Sequence, residues 1–112
     1  MTNLIYKILT AEQWAELQAN ETTAGAPIDV SDGYVHFSTA AQVQETAQKH
    51  FDGQEGLVLV AFDSEEFGND LKWEPSRGGD LFPHLYAMLA LDKVVWSKPL
   101  RWADGKHEFP AL

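Results

Sequence analysis

The chain contains no cysteine. That excludes a disulfide scaffold, a thiolate zinc site, an iron–sulfur cluster and a cysteine nucleophile. It has no apolar run of about 18 residues, so no segment is expected to span a membrane. The opening stretch from Met1 to Trp14 lacks a basic region, a following apolar core and a small-residue cleavage site. It therefore does not read as a secretory signal, and the expected compartment is the cytoplasm. Bases are scarce, with 8 Lys and Arg against 17 Asp and Glu, for a net charge of −9. Such a balance disfavours duplex nucleic acid, where affinity rests on neutralising phosphates, and equally disfavours anionic membranes. A Walker loop, a GxGxxG turn, HExxH, GxSxG and an EF-hand loop are all missing. No repeat, low-complexity block or Gly/Ser/Pro-rich linker divides the 112 residues, so one domain is expected over 1–112.

What is present suits a folded core: 45% of residues are hydrophobic and 12% aromatic. Charge is uneven. Residues 1–71 carry only two bases, Lys7 and Lys49, against twelve acids, whereas residues 72–112 carry six bases against five acids. Cationic partners for an anionic ligand would come from the second part. The simpler reading of the acids is that they keep a small protein soluble.

Leu4–Leu9 is rich in branched and aromatic residues and predicts a strand. Thr10 with Gln13 forms a capping box for a first helix, with Trp14 and Leu17 on one face. Residues 19–33 carry turn formers and predict a long loop, of a length that suits binding. Tyr34–Ser38 predicts a short strand in which Tyr34, His36 and Ser38 share one face and Val35 and Phe37 the other. Thr39 with Gln42 caps a second helix whose buried stripe is Ala40, Val43, Ala47 and Phe51. The continuous apolar run Leu57–Asp63 predicts a central strand covered on both faces. Further strands are expected at 71–74, around 82–87 and from 94, with Pro99 marking an edge or bulge. The tail 103–112 is expected to be peripheral. Two early helices and five or more strands predict an α+β fold with a bent mixed or antiparallel sheet.

Polar groups in aromatic settings are the candidates for chemistry. His36 stands mid-strand, with Ser38 on the same face and a helix start at Thr39 just beyond. Unpaired N–H groups at a helix start suit an anion or the ribose–phosphate edge of a nucleotide. The bland alternative is a histidine bonded to backbone. Trp73, Glu74, His84 and Tyr86 bracket a Gly-rich loop that contains Arg77. The rings can stack on a base and the guanidinium can pair with phosphate. The bland alternative makes the rings core residues and Glu74–Arg77 a surface pair. A metal held by His36, His84 and a carboxylate matches no known spacing, so no metal is expected. His50 and His107 read as surface residues, and Asp29 and Asp32 as turn formers.

The string Asp32-Gly33-Tyr34-Val35-His36-Phe37-Ser38-Thr39, with Gln42 and Thr46-Ala47 after it, resembles the DUF952 family of small uncharacterised bacterial proteins. Leu57–Asp63, Leu71–Glu74 and Phe82–Tyr86 continue the resemblance in order, over about residues 4–100. The resemblance implies an ADP-ribosyltransferase-like fold, and Val35–Ser38 with the following helix and strand is also similar to the RNA 2′-phosphotransferases, which use NAD. By that likeness NAD is the implied substrate and no other cofactor is expected. His36 would grip a ribose hydroxyl beside Ser38 and Thr39, Trp73 or Tyr86 would pack on a ring, and Arg77 or Arg101 would meet the pyrophosphate. If the protein catalyses, attack falls on the nicotinamide ribose carbon, with Glu74 supporting the developing positive charge and His84 nearby. The departure is the late glutamate of such transferases, for which this chain offers only Glu108, in the tail. That favours the alternative of a non-catalytic binding or interaction module that keeps the fold.

Overall fold

The computed structural model describes residues 3–112, except for the side chain of Arg77. Its main sheet is antiparallel, in the order β1 (Leu4–Thr10), β4 (Leu57–Asp63), β8 (Val94–Ala103) and β9 (Lys106–Glu108). β4 is central and alternates its side chains between two separate cores. Val60 and Phe62 join Ile5, Leu9, Leu17, Val35, Phe37, Leu85 and Leu89 on one face. Leu59 and Ala61 join Tyr6, Ile8, Val43, Ala47 and Leu100 on the other. Burial on both faces is why this strand is a continuous apolar run.

Helix α1 (Ala11–Asn20) starts where the capping box predicts, with Gln13 N–H donating to the Thr10 hydroxyl. Helix α3 (Ala40–His50) follows Thr39, whose N–H donates to the Gln42 side chain. Val43 and Ala47 bury its inner face, whereas Ala40 is exposed, one position outside the expected stripe. A three-stranded antiparallel sheet runs β3 (Val35–His36), β6 (Leu81–Leu85), β5 (Leu71–Pro75), and a small pair joins β2 (Thr22–Thr23) to β7 (Leu89–Ala90).

Two expectations are corrected. The loop 19–33 contains a further helix, α2 (Pro27–Asp32), with Pro27 at its first turn and the buried Asp29 two residues on. It shows no amphipathic pattern because its apolar residues, Ile28 and Val30, are 59% and 62% exposed while the acid points inward. The tail is not peripheral over its whole length: β9 pairs Arg101–Ala103 with Lys106–Glu108. His107 is buried there and its ring nitrogen contacts the Gln54 carbonyl at 2.9 Å. The strand expected from residue 94 is present and runs ten residues. β9 covers only its end, so β8 is uncovered on that side at Pro99, where a missing N–H costs nothing. No helix among the described residues is long and apolar enough to cross a membrane.

What positions the site is the segment Val35–Ser38. β3 pairs with β6, bringing His36 opposite His84. Two residues on, Ser38 forms an isolated bridge to β1, exchanging two hydrogen bonds of 2.8 and 2.9 Å with Tyr6. The segment thus stitches the small sheet to the edge of the main one, and a hollow forms along the seam.

Candidate functional site

The hollow is a cavity of about 320 Å³, lined among others by Lys7, Asp29, Tyr34, His36, Ser38 and His84. Its polar hub is Asp29, which no solvent reaches. Oδ2 accepts the Ala26 N–H at 2.7 Å and pairs with Lys7 Nζ at 2.7 Å. Oδ1 accepts the His36 N–H at 3.0 Å and lies 2.5 Å from His36 Nδ1. Burial by itself would raise this carboxyl, but the His36 hydrogen bonds and the Lys7 charge outweigh it and hold the group at about 2. Burial pushes the Lys7 ammonium down, opposed by the Asp29 charge beside it. On its other side His36 reaches Asp32 Oδ2, 3.0 Å from Nε2, at the solvent edge of the cavity.

His84, opposite, is 3% exposed. Its Nδ1 lies 2.8 Å from Glu74 Oε1, and the same oxygen accepts the Tyr86 hydroxyl at 2.7 Å. Those two hydrogen bonds, the tyrosine's first, hold the Glu74 carboxyl below the usual carboxylate range. The phenol of Tyr86 is pushed up to about 12 by the same bond. Tyr34 ties the two halves together. Its ring stacks on His84 at 4.2 Å and tilts against His36 at 4.7 Å and Tyr86 at 5.2 Å. The centroids of His36 and His84 are 5.5 Å apart. The Tyr34 phenol is raised by burial and by the Asp32 and Glu74 charges.

Of the residues predicted from sequence, His36, Ser38 and His84 line this cavity. Glu74 and Tyr86 are not part of the lining, and Glu74 meets it through the His84 ring that it holds. Ser38 is buried and spends its hydroxyl on Thr46 at 2.9 Å. Thr39 serves as the start of α3 and is not part of the lining. Trp73 is 46% exposed and pairs with Pro83, one step out of register from Glu74 and His84, which puts it on the opposite face of the small sheet. The Arg77 side chain lies outside the described residues. Arg101 is exposed on β8 opposite Glu108, in a different part of the fold. His50 is exposed, as expected, but borders the cavity. Among the described residues no three His, Asp or Glu side chains could together hold a metal.

Sequence reasoning missed Lys7, Asp29, Asp32 and Tyr34. Two signals were present. Lys7 is the single charge in an otherwise apolar strand, and only two bases occur before residue 72. Pro27 followed by Asp29 is the pattern of a helix start whose third residue reaches back to the cap. A second cavity, of about 230 Å³, lies between α3 and the β8–β9 hairpin and touches none of the predicted residues.

The family model described as "Protein of unknown function (DUF952)" matches residues 8–97. The crystal structure of protein CC0527 from Caulobacter crescentus, a structural-genomics target, is 46% identical with a TM-score of 0.89, over 94% of this chain and 93% of that one. The solution NMR structure of CC0527 is 44% identical with a TM-score of 0.84, over 93% of this chain and 90% of that one. No curated protein matches. With a family model matched over most of its length and relatives 44–46% identical, the chain belongs to the DUF952 family.

Proposed function

We propose that the cavity between His36 and His84 binds a small nucleotide-like ligand, of the NAD or ADP-ribose class, on an ADP-ribosyltransferase-like fold, and that glycosyl transfer is the chemistry this site would serve. The observation that carries the reading is the pair of imidazoles facing one hollow. Each is fixed at Nδ1 by its own carboxylate, Asp29 or Glu74, and each touches the same tyrosine ring. Orientation by a carboxylate is how a histidine is prepared to bind or move a proton at a defined place. The likeness of Val35–Ser38 to the NAD-using phosphotransferases supports His36 as the ribose contact, a ribose hydroxyl oxygen accepting the Nε2 hydrogen bond in place of the exposed Asp32. A cavity of about 320 Å³ is at the small end for ligand sites, which range over roughly 300–1,000 Å³. It therefore takes the nucleoside end of a dinucleotide and leaves the remainder outside. Isothermal calorimetry with NAD and ADP-ribose tests this. Heat is expected with wild type and not with His36→Ala, and silence from wild type with both ligands would remove this ligand class.

A second reading is a binding module without catalysis. It is favoured by the saturation of Asp29, whose oxygens already meet four donors, and by the absence of Glu74 from the cavity lining. Asp29 has no oxygen left to stabilise a cationic centre, and Glu74 does not line the cavity where one would form. Incubation with NAD separates the two readings: release of nicotinamide is catalysis, and binding without release is the module.

A further inference from the structure

The two histidines are held differently, and the difference decides what each can do with a hydrogen bond. His36 meets a carboxylate at both ring nitrogens, Asp29 at Nδ1 and Asp32 at Nε2. Ionised carboxylates only accept, so both contacts are hydrogen bonds only when both nitrogens carry protons. In that form His36 has no lone pair to offer. His84 has one carboxylate, at Nδ1. Glu74 is kept ionised by the Tyr86 and His84 hydrogen bonds, so it too only accepts, and the His84 proton belongs on Nδ1. Among the described residues nothing hydrogen-bonds the His84 Nε2. The ring is almost wholly buried and one face is covered by Tyr34, yet the residue lines the cavity while Glu74 does not. The Nε2 edge is thus the polar part of the ring that an occupant can meet. A buried acceptor without a partner costs stability, and a ligand that supplies the donor recovers that cost.

We infer that His84 is the hydrogen-bond acceptor of the site, with its proton on Nδ1 and a bare Nε2 that selects ligands presenting an O–H or N–H donor. The inference rests on the ligand-site reading given above and names the chemistry that the ligand must bring: a hydroxyl or amide group at its buried end. Glu74 is the positioning residue that fixes the tautomer. A site built around such an acceptor discriminates strongly against an analogue whose donor is removed, because the acceptor is then left buried and unpaired.

The test is nitrogen-15 NMR of the imidazole rings in the histidine-labelled full chain at neutral pH, without ligand. The His84 Nε2 is expected at the position of an unprotonated ring nitrogen and its Nδ1 at that of a protonated one. In Glu74→Ala the proton is expected to leave Nδ1 for Nε2, while in Tyr86→Phe, which removes only the second donor to Glu74, the tautomer stays. A wild-type His84 protonated at Nε2 or at both nitrogens overturns the inference, as does a tautomer unmoved in Glu74→Ala. ADP-ribose and NAD are then titrated into the same wild-type sample. A His84 tautomer as expected with ring resonances unmoved by either ligand would overturn the nucleotide reading while leaving the acceptor assignment standing.

Discussion

Replacing Asp29 by Asn is the sharpest perturbation of the seam. The carboxylate collects four donors from three elements: Lys7 on β1, the Ala26 N–H at the start of α2, and both the N–H and Nδ1 of His36 on β3. Asparagine keeps the shape but removes the charge, and turns one acceptor into a donor facing donors. Breaking a buried pair by neutralising one partner costs about 3–5 kcal/mol, because the other charge is left buried. A domain of this kind has about 5–15 kcal/mol in total, so the variant folds with little margin. Its Tm should fall on the order of 15 °C. Lys7→Met should cost less, since Asp29 keeps His36 and two backbone donors. The double variant should cost less than the sum of the singles, because the buried lysine no longer seeks a partner. The pH dependence carries the same signature. The folded Asp29 carboxyl is at about 2, below the ordinary 3.8, so the folded state releases this proton more readily than the unfolded one. Its contribution, about 2 kcal/mol, is complete above roughly pH 4 and is lost as pH falls towards 2. Urea denaturation followed by tryptophan fluorescence at pH 7, 4 and 3 measures both effects. A loss below about 1 kcal/mol for Asp29→Asn, or an acid slope unchanged from wild type, would refute the reasoning.

Three further outcomes are expected. Gly25→Ala should destabilise by about 1–3 kcal/mol in chemical denaturation, since the residue is left-handed at φ +98° and an added Cβ would collide with the Asp29 carboxylate. Glu74→Gln should bring the Tyr86 phenol down from about 12 towards its ordinary 10 in an ultraviolet titration, because the charged acceptor of its hydrogen bond is gone. Removing residues 104–112 should cost roughly 1–3 kcal/mol in thermal unfolding, as it takes away β9 and Phe109, which packs on the second core.

Much of the frame was legible because its signals are local. The capping boxes at Thr10 and Thr39 and the unbroken run Leu57–Asp63 each state their own structure. So does the alternation over Tyr34–Ser38, with Val35 and Phe37 inward and His36 facing the cavity. The site was legible by half. His36 and His84 could be marked as polar groups among aromatics, but their meeting depends on β3 pairing with β6 in one register, which no local pattern encodes. Asp29 reads as a turn former in sequence because a six-residue helix with its apolar residues outward shows no amphipathic stripe. Trp73 offers a ring for stacking beside Glu74 in sequence, but strand alternation sends the two to opposite faces. The late strand β9 escaped because its three residues, Lys-His-Glu, look solvated, and only the pairing with Arg101–Ala103 makes them strand.

The proposed function places a ligand in the hollow shared by His36 and His84. Calorimetric titration of ADP-ribose into wild type, His36→Ala, His84→Ala and Trp73→Ala tests it most directly, with each variant first shown to be folded by circular dichroism. Saturable heat is predicted for wild type and Trp73→Ala and none for the two histidine variants. Equal binding by all four proteins, or none by wild type, would contradict it.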